Sequence, residues 1–291
     1  MTLEFHDVTY TYDGATNALA HVSFSLEPGK ALGVVGKTGS GKSTLAQLAD
    51  GLLMPSSGEV RLDGATSAEL RGGMQRRVGL VFQHPELQLF AATLTEDVAF
   101  GLHNVGVAQG EIEGRCSEAL NLVGLRADEF ASRSPFELSG GEQRKAALAG
   151  VLALHPEVLV LDEPTAGVDA AGVRDIEVLF KRLLARGTAL IIISHSMELV
   201  ADICSRAIVL DQGRCALAGT PEKVLAPDNV DVLQRLNVDI PQATRFAAKL
   251  QGKGFVFEEP VLTMDNLADQ LARQLSRPAS GTRLSDEEPQ A

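Results

Sequence analysis

Eight consecutive residues constrain this chain more than any others: Gly36-Lys37-Thr38-Gly39-Ser40-Gly41-Lys42-Ser43. They follow the apolar run Ala31-Leu32-Gly33-Val34-Val35 and precede a helical period near Lys42 to Ala49. Closely spaced glycines let the backbone turn so that its N–H groups converge, and the following helix adds a partly positive N-terminus. A G-x-x-x-x-G-K-[ST] pattern between strand and helix is a cradle for a phosphate chain. In it Gly36, Thr38, Gly39, Ser40, Gly41 and Thr44 surround the phosphates, and Lys42 brings a full charge to the β and γ positions. The Ser43 hydroxyl is placed to reach Mg²⁺. The other reading, a glycine-rich turn with an incidental lysine, is disfavoured by the strand–loop–helix context.

Short apolar runs rich in β-branched residues recur at Val78 to Phe82, Val158 to Leu161 and Ala189 to Ile193, with helical periods between them. This is the pattern of an α/β protein. Pro55-Ser56-Ser57-Gly58 and Asp63-Gly64 read as turns around Glu59-Val60-Arg61-Leu62, so an antiparallel β subdomain is expected early in the chain. A helical subdomain is expected over about 86–156. There Cys116, Ala119, Leu120 and Val123 fall at i, i+3, i+4, i+7, with Gly124 placed to stop the helix. Ser139-Gly140-Gly141-Glu142 has capping-box spacing before an Ala- and Leu-rich helix.

A core spanning 1–220 is expected to carry a C-terminal α-rich extension over 221–275, the change of character beginning near Ala216. Its marks are a helical stripe of Ala243, Phe246, Ala247 and Leu250, and a Thr263 cap flanked by Leu262 and Leu267 ahead of Leu271 and Leu275. Residues 276–291 are polar, Pro-containing and acidic, the composition of a disordered tail.

With 291 residues, 45% hydrophobic and 22% charged, the chain can bury a large core. Thirty-eight acids against 26 Lys and Arg give a net charge of −12, and aromatics are only 4%. That balance argues against a nucleic-acid partner while leaving room for one phosphate ligand. Cys116, Cys204 and Cys215 form no CxxC pair, so reduced thiols in a cytosolic setting are expected. No run approaches the ~20 apolar residues of a membrane span, and Met1 to Phe5 lacks a signal-peptide pattern. Work at a membrane is therefore expected to run through a partner.

A phosphate site of this kind is completed by a carboxylate at the end of a neighbouring strand. Val158-Leu159-Val160-Leu161-Asp162-Glu163 supplies two. Asp162 is placed to hold Mg²⁺, and Glu163 to orient or deprotonate a water attacking the γ-phosphate. His195, after Ile191-Ile192-Ile193-Ser194, has two readings: a packed or surface histidine, or a group that bonds the γ-phosphate and keeps Glu163 and water in line.

Taken together these residues resemble the ATP-binding cassette ATPase family over roughly residues 3 to 220. Leu138-Ser139-Gly140-Gly141-Glu142-Gln143 is similar to the family's signature sequence, Ala166-Gly167-Val168-Asp169 to its D-loop, and His195 to its switch histidine. Gln83 is similar to the Q-loop glutamine, which implies a catalytic and Mg²⁺-contacting role. Tyr12 sits where the family stacks an aromatic ring on adenine, although Tyr10 alternates with it. The resemblance implies that two cassettes pair head to tail, so that Ser139, Gly140, Gly141 and Asp169 serve the ATP held by the other copy. Departures from the pattern are Val168 where Leu is common, Ala170 where Pro is common, and Glu142 for the commoner Gln.

A closer resemblance is to the ATPases of energy-coupling factor transporters. It rests on Gln83-His84-Pro85-Glu86-Leu87-Gln88-Leu89-Phe90, on Thr93 with Glu96-Asp97-Val98-Ala99-Phe100-Gly101, and on Leu236-Asn237-Val238-Asp239-Ile240-Pro241-Gln242 in the extension. It implies a second cassette subunit, identical or paralogous, a transmembrane coupling protein and a small membrane protein that captures a micronutrient. The chain would then lie on the cytoplasmic face of the membrane. An acidic rim of Glu86, Glu96 and Asp97 is expected to meet basic residues of the coupling protein. Phe246 and Leu250 read equally as part of a cassette–cassette contact or as an ordinary packed face. The alternatives are the ATPase of a conventional binding-protein-dependent importer and a soluble regulatory cassette without transport.

Overall fold

The computed structural model describes residues 2–70 and 73–276. Two long strands, β1 (Leu3–Thr11) and β2 (Asn17–Leu26), pair antiparallel and lead into the short strand β3 (Ala31–Val35) and helix α1 (Lys42–Asp50). β4 (Ser57–Leu62) and β5 (Ala65–Thr66) return to the first pair, giving a four-stranded antiparallel sheet in the order β2-β1-β4-β5. The turn residues around Glu59 to Leu62 act as read. Short helices α2 (Ser67–Leu70) and α3 (Met74–Arg77) precede β6 (Val78–Val81).

The helical segment follows: α4 (Leu94–Asn104), α5 (Gln109–Leu122), α6 (Ala127–Phe130) and α7 (Gly140–Leu152). Cys116, Ala119 and Leu120 are buried on α5, and Gly124 ends the turn after it at φ 84°. The chain then alternates through β7 (Val158–Asp162), α8 (Ala170–Ala185), β8 (Ala189–Ile193), α9 (Met197–Ile203), β9 (Arg206–Asp211) and β10 (Arg214–Gly219). These strands form a six-stranded sheet in the order β10-β9-β3-β8-β7-β6, parallel except for the β10 edge.

Burial on both faces explains why the parallel strands read as unbroken apolar runs. Leu32, Val34, Val160, Ile191 and Ile193 face one core, shared with α1 and with Leu3, Phe5, Val22 and Val60 of the antiparallel sheet. Ala31, Val35, Leu159, Leu161, Leu190 and Ile192 face the other, under α4, α5, α7, α8 and α9. The two sheets are further tied by Arg77, which donates to Glu157 Oε1 at 2.5 Å and Oε2 at 2.8 Å and also to Asp63.

The C-terminal helices are α10 (Pro221–Val224), α11 (Val230–Arg235), α12 (Gln242–Gln251) and α13 (Met264–Ser276). The change of character near Ala216 marks no structural break, because Ala216 to Gly219 complete β10. Val224, Leu225, Leu233, Val238 and Leu262 all join the main core. Only α12 and α13 build a cluster of their own, from Ala243, Ala247, Val261 and Leu267. Gln270 fastens it, accepting from the Glu258 and Glu259 N–H groups and donating to the Glu259 carbonyl at 3.1 Å. The Thr263 hydroxyl accepts from the Asn266 N–H at 3.2 Å, the cap read from sequence. Phe246 departs from its stripe and is 51% exposed. The tail read over 276–291 lies, from 277 on, outside the described residues.

One buried charge sets a pH dependence. Asp50, in the last turn of α1, is 6% exposed, and its carboxylate makes no hydrogen bond or ion pair among the described residues. Burial pushes its carboxyl up to about 6 from 3.8. The folded chain therefore holds this proton more tightly than the unfolded chain, and stability falls as pH rises from the ordinary carboxylate range to about 6. Keeping the group charged above that range costs roughly 3 kcal/mol. Asp50→Asn is expected to raise the melting temperature at pH 8 and to leave it nearly unchanged at pH 4. Melting curves that show no difference at pH 8 would remove Asp50 as the source of strain.

Candidate active site

Parallel order places the working ends together. β3, β8, β7 and β6 are successive neighbours running the same way, so their C-terminal ends line one edge of the sheet. The glycine loop follows β3, Ser194-His195 follows β8, Asp162-Glu163 ends β7, and Gln83 lies just beyond β6. Residues up to 159 positions apart in sequence thereby line one edge of the sheet.

Gly36 and Gly41 carry positive φ, 149° and 104°. A Cβ on Gly36 would stand 2.3 Å from the Leu210 carbonyl, and one on Gly41 would stand 2.4 Å from the Ala18 carbonyl. Only glycine fits at these two points. The Lys42 ammonium, on a residue 9% exposed, donates to the Gly36 carbonyl at 2.7 Å and the Lys37 carbonyl at 3.0 Å. Burial lowers its pKa, while the charges of Glu163 and Asp162 act to hold it up. Ser40 Oγ is buried in the loop with no hydrogen-bond partner. Lys37 turns the other way and pairs with Asp211 at 2.8 Å. The Tyr12 and Thr44 hydroxyls share a hydrogen bond of 3.2 Å, which sets the Tyr12 ring, 64% exposed, beside the start of α1. Tyr10 instead packs against the core, and its ring meets that of Tyr12 edge-on at 4.9 Å.

Ser43 Oγ donates to Asp162 Oδ2 at 3.3 Å. A hydroxyl and a carboxylate side by side are the hard oxygen donors Mg²⁺ takes when phosphate oxygens and water complete its shell. Among the described residues no three His, Cys, Asp or Glu side chains form a metal cage. Glu163 sits at φ 51°, its N–H donating to the Ile193 carbonyl at 2.9 Å. Its Oε2 accepts from the His195 N–H at 3.2 Å. Its Oε1 is buried without a hydrogen-bond partner, with His195 Nε2 at 3.4 Å. Burial raises the carboxyl pKa of both Glu163 and Asp162. A buried carboxylate with one unengaged oxygen, beside an imidazole, is equipped to take a proton from water.

The signature residues stand elsewhere. Ser139 and Glu142 form both arms of the capping box: Ser139 N–H donates to Glu142 Oε2 at 2.9 Å, and Glu142 N–H to Ser139 Oγ at 3.4 Å. The Ser139 hydroxyl also donates to Glu142 Oε2 at 2.6 Å, and these bonds hold the Glu142 carboxyl below its usual range. Ser139, Gly140 and Gly141 line an open cavity of about 760 Å³ with Gln83, Glu86 and Asp169. None of the glycine-loop residues lines it. Asp169 caps α8 by accepting from the Gly172 N–H at 2.7 Å, which puts Ala170 at the first helical position, where Pro is also favoured. This accounts for the exchange at Ala170. Among the described residues, no side-chain hydrogen bond holds Gln83.

The acidic rim does not stand free. Glu86 pairs with Arg144 at 3.4 Å and with His84 at 3.1 Å. Glu96 completes the Thr93 capping box, and Asp97 accepts from the Phe90 and Ala91 N–H groups, both at 2.9 Å. Glu96 and Asp97 order their own loop and Glu86 ties it to α7, so charge reversal there disturbs the loop before it tests docking. Arg144 itself escaped the sequence reading. Its only local signal was a charge on a helix, and its partners lie up to 61 residues away.

A family model described as ABC transporter matches residues 19–166. The energy-coupling factor transporter ATP-binding protein EcfA2 of Streptococcus thermophilus is 41% identical over 93% of this chain and 99% of its own length. That of Clostridium acetobutylicum is 39% identical over 94% and 98%. This chain belongs to the ATP-binding cassette family of transporter ATPases. Among solved structures, cbiO1 from Clostridium perfringens, part of the complex cbiONQ, matches with TM-score 0.72 and 33% identity over 86% of this chain and 98% of that one. The dimeric cassette MJ0796, in a post-hydrolysis state with ADP and Pi, matches with TM-score 0.67 and 28% identity over 75% and 98%. The cassette is thus an ATPase whose hydrolysis is coupled to transport. Among its described residues no helix is long and apolar enough to cross a membrane.

Proposed function

We propose that the cassette powers an energy-coupling factor importer of a micronutrient, a vitamin or a transition-metal ion, as one half of a head-to-tail cassette pair. The observation that carries this reading is similarity reaching past the family model, over 93% of the chain, to ATP-binding subunits of such transporters. The separation of the two half-sites supports the pairing. Lys42, Asp162, Glu163 and His195 surround the phosphates from one side, and a second cassette supplies Ser139, Gly140, Gly141 and Asp169 from the other.

In this reading Tyr12 stacks on the base, and the loop from Gly36 to Thr44 holds the phosphates. Ser43 and Asp162, with Gln83, would hold Mg²⁺, which would supply positive charge to offset that of the phosphates. Glu163 takes the proton of the attacking water through its free Oε1, while His195 keeps that carboxylate in line. The N-terminus of α7 from the second copy stabilises charge on the γ-phosphate. The chain works at the cytoplasmic face, held there by a coupling protein docked along Gln83 to Gly101.

A pull-down of the tagged chain from detergent-solubilised native membranes, read by mass spectrometry, tests this. A coupling protein and a small membrane capture protein are expected, and their identity names the cargo. A second, non-identical cassette would make the ATPase a heterodimer. A conventional permease pair, or no membrane protein at all, would overturn the importer class.

A further inference from the structure

Arg144, on the signature helix α7, touches both the loop after β6 and the loop after β7. It lies in the second turn of α7, 16% exposed, a few residues past Ser139. Its Nη1 donates to the Ala166 carbonyl at 2.6 Å, its Nη2 to the Gln83 carbonyl at 3.4 Å, and its Nε to Glu86 Oε2 at 3.4 Å. The backbone N–H of the same residue, Ala166, donates to the Glu163 carbonyl at 3.2 Å. One guanidinium therefore grips the backbone of Gln83 directly and that of Glu163 through one intervening residue, Ala166. Glu163 belongs to the half-site proposed for the chain's own nucleotide, and Gln83, on the same sheet edge, also lines the cavity of Ser139. The helix that carries Arg144 begins at the half-site facing the partner's nucleotide.

We propose that Arg144 is a positioning residue that couples the two half-sites of one chain. Nucleotide contact with Gln83 and Glu163 shifts the two carbonyl-bearing loops, and Arg144 carries that shift into the start of α7. This rests on the half-site assignment proposed above. The chemistry requires arginine. A planar fork donates along several fixed directions at once, so it reaches two carbonyls and a carboxylate together, whereas a lysine ammonium is a point charge on a flexible stem. Glu86 balances the charge of the largely buried guanidinium, and the unpaired carbonyl lone pairs left by its removal would loosen both loops.

The test is hydrogen–deuterium exchange on the full chain with Mg²⁺ and a non-hydrolysable ATP analogue, below the concentration at which size exclusion shows pairing. In the wild type, exchange is expected to slow both at residues 36–44 and at residues 139–143. The second response should be about fivefold or more, the lower end of ordinary inter-site coupling. In Arg144→Gln, protection of 36–44 and affinity for a fluorescent ATP analogue should persist within about twofold, with the response at 139–143 lost. Arg144→Lys keeps the charge opposite Glu86 and is expected to lose at least half of that response, which secures the test if the Gln variant fails to fold. A signature response that survives in these variants, or is missing from the wild type while 36–44 is protected, overturns the coupling. Absence of protection at 36–44 in the wild type instead defeats the half-site reading beneath it.

Discussion

Glu163→Gln is expected to lower ATP hydrolysis by roughly two to four orders of magnitude, the worth of a positioned general base. The substitution keeps the shape and leaves an amide oxygen to accept from the His195 N–H, now bonded to Oε2 at 3.2 Å. What it removes is the basicity of Oε1, the buried oxygen that has no hydrogen-bond partner. Nucleotide should still bind, and loss of one negative charge beside the γ-phosphate should trap the closed pair. Size exclusion with ATP would show the trapped species, and a turnover assay would show the rate. Because burial raises the Glu163 carboxyl, the base form appears only above the ordinary glutamate range. The acid limb of the pH–rate profile should lie there and disappear in the variant. Turnover near the wild-type rate would mean that another group takes the proton.

Lys42→Ala should fail at an earlier step. The ammonium is buried, bonded to the Gly36 and Lys37 carbonyls, and within the field of Glu163 and Asp162. In the ATP complex it is the one full positive charge that the loop offers the β and γ phosphates. A hydrogen bond to a charged group contributes about 1.5–3 kcal/mol, so nucleotide affinity should fall by roughly tenfold to about 150-fold. Fluorescence titration separates the two variants: Glu163→Gln binds and does not turn over, whereas Lys42→Ala binds poorly. Wild-type affinity in Lys42→Ala would count against the phosphate-cradle reading.

The fold class and the chemistry were legible because their signals are local. Positive φ at Gly36 and Gly41, the capping boxes at Thr93 and Ser139, and the apolar runs of β3, β7 and β8 each depend on residues within one turn or one strand. Such features are dictated by backbone sterics and by hydrogen bonds between near neighbours, so a sequence carries them openly. The choice of Tyr12 over Tyr10 was only half legible. Tyr10 lies on β1 and Tyr12 just beyond its end, and it took the neighbouring helix α1, with Thr44, to distinguish the exposed ring from the packed one.

What tertiary structure alone decided was which distant groups meet. Strand order β3-β8-β7-β6 put Lys42, His195, Glu163 and Gln83 along one edge, though nothing in any one of those segments specifies its neighbour. The same holds for Arg144 between Gln83 and Ala166, for the acids of the rim drawn into their own loop, and for Asp50 left buried and unpaired. It also holds for Leu233 and Leu262, which look like parts of a separate extension and pack in the main core. Charged and apolar side chains have many equivalent partners in sequence. Their pairing is settled only when long-range strand registry and helix packing fix which faces touch.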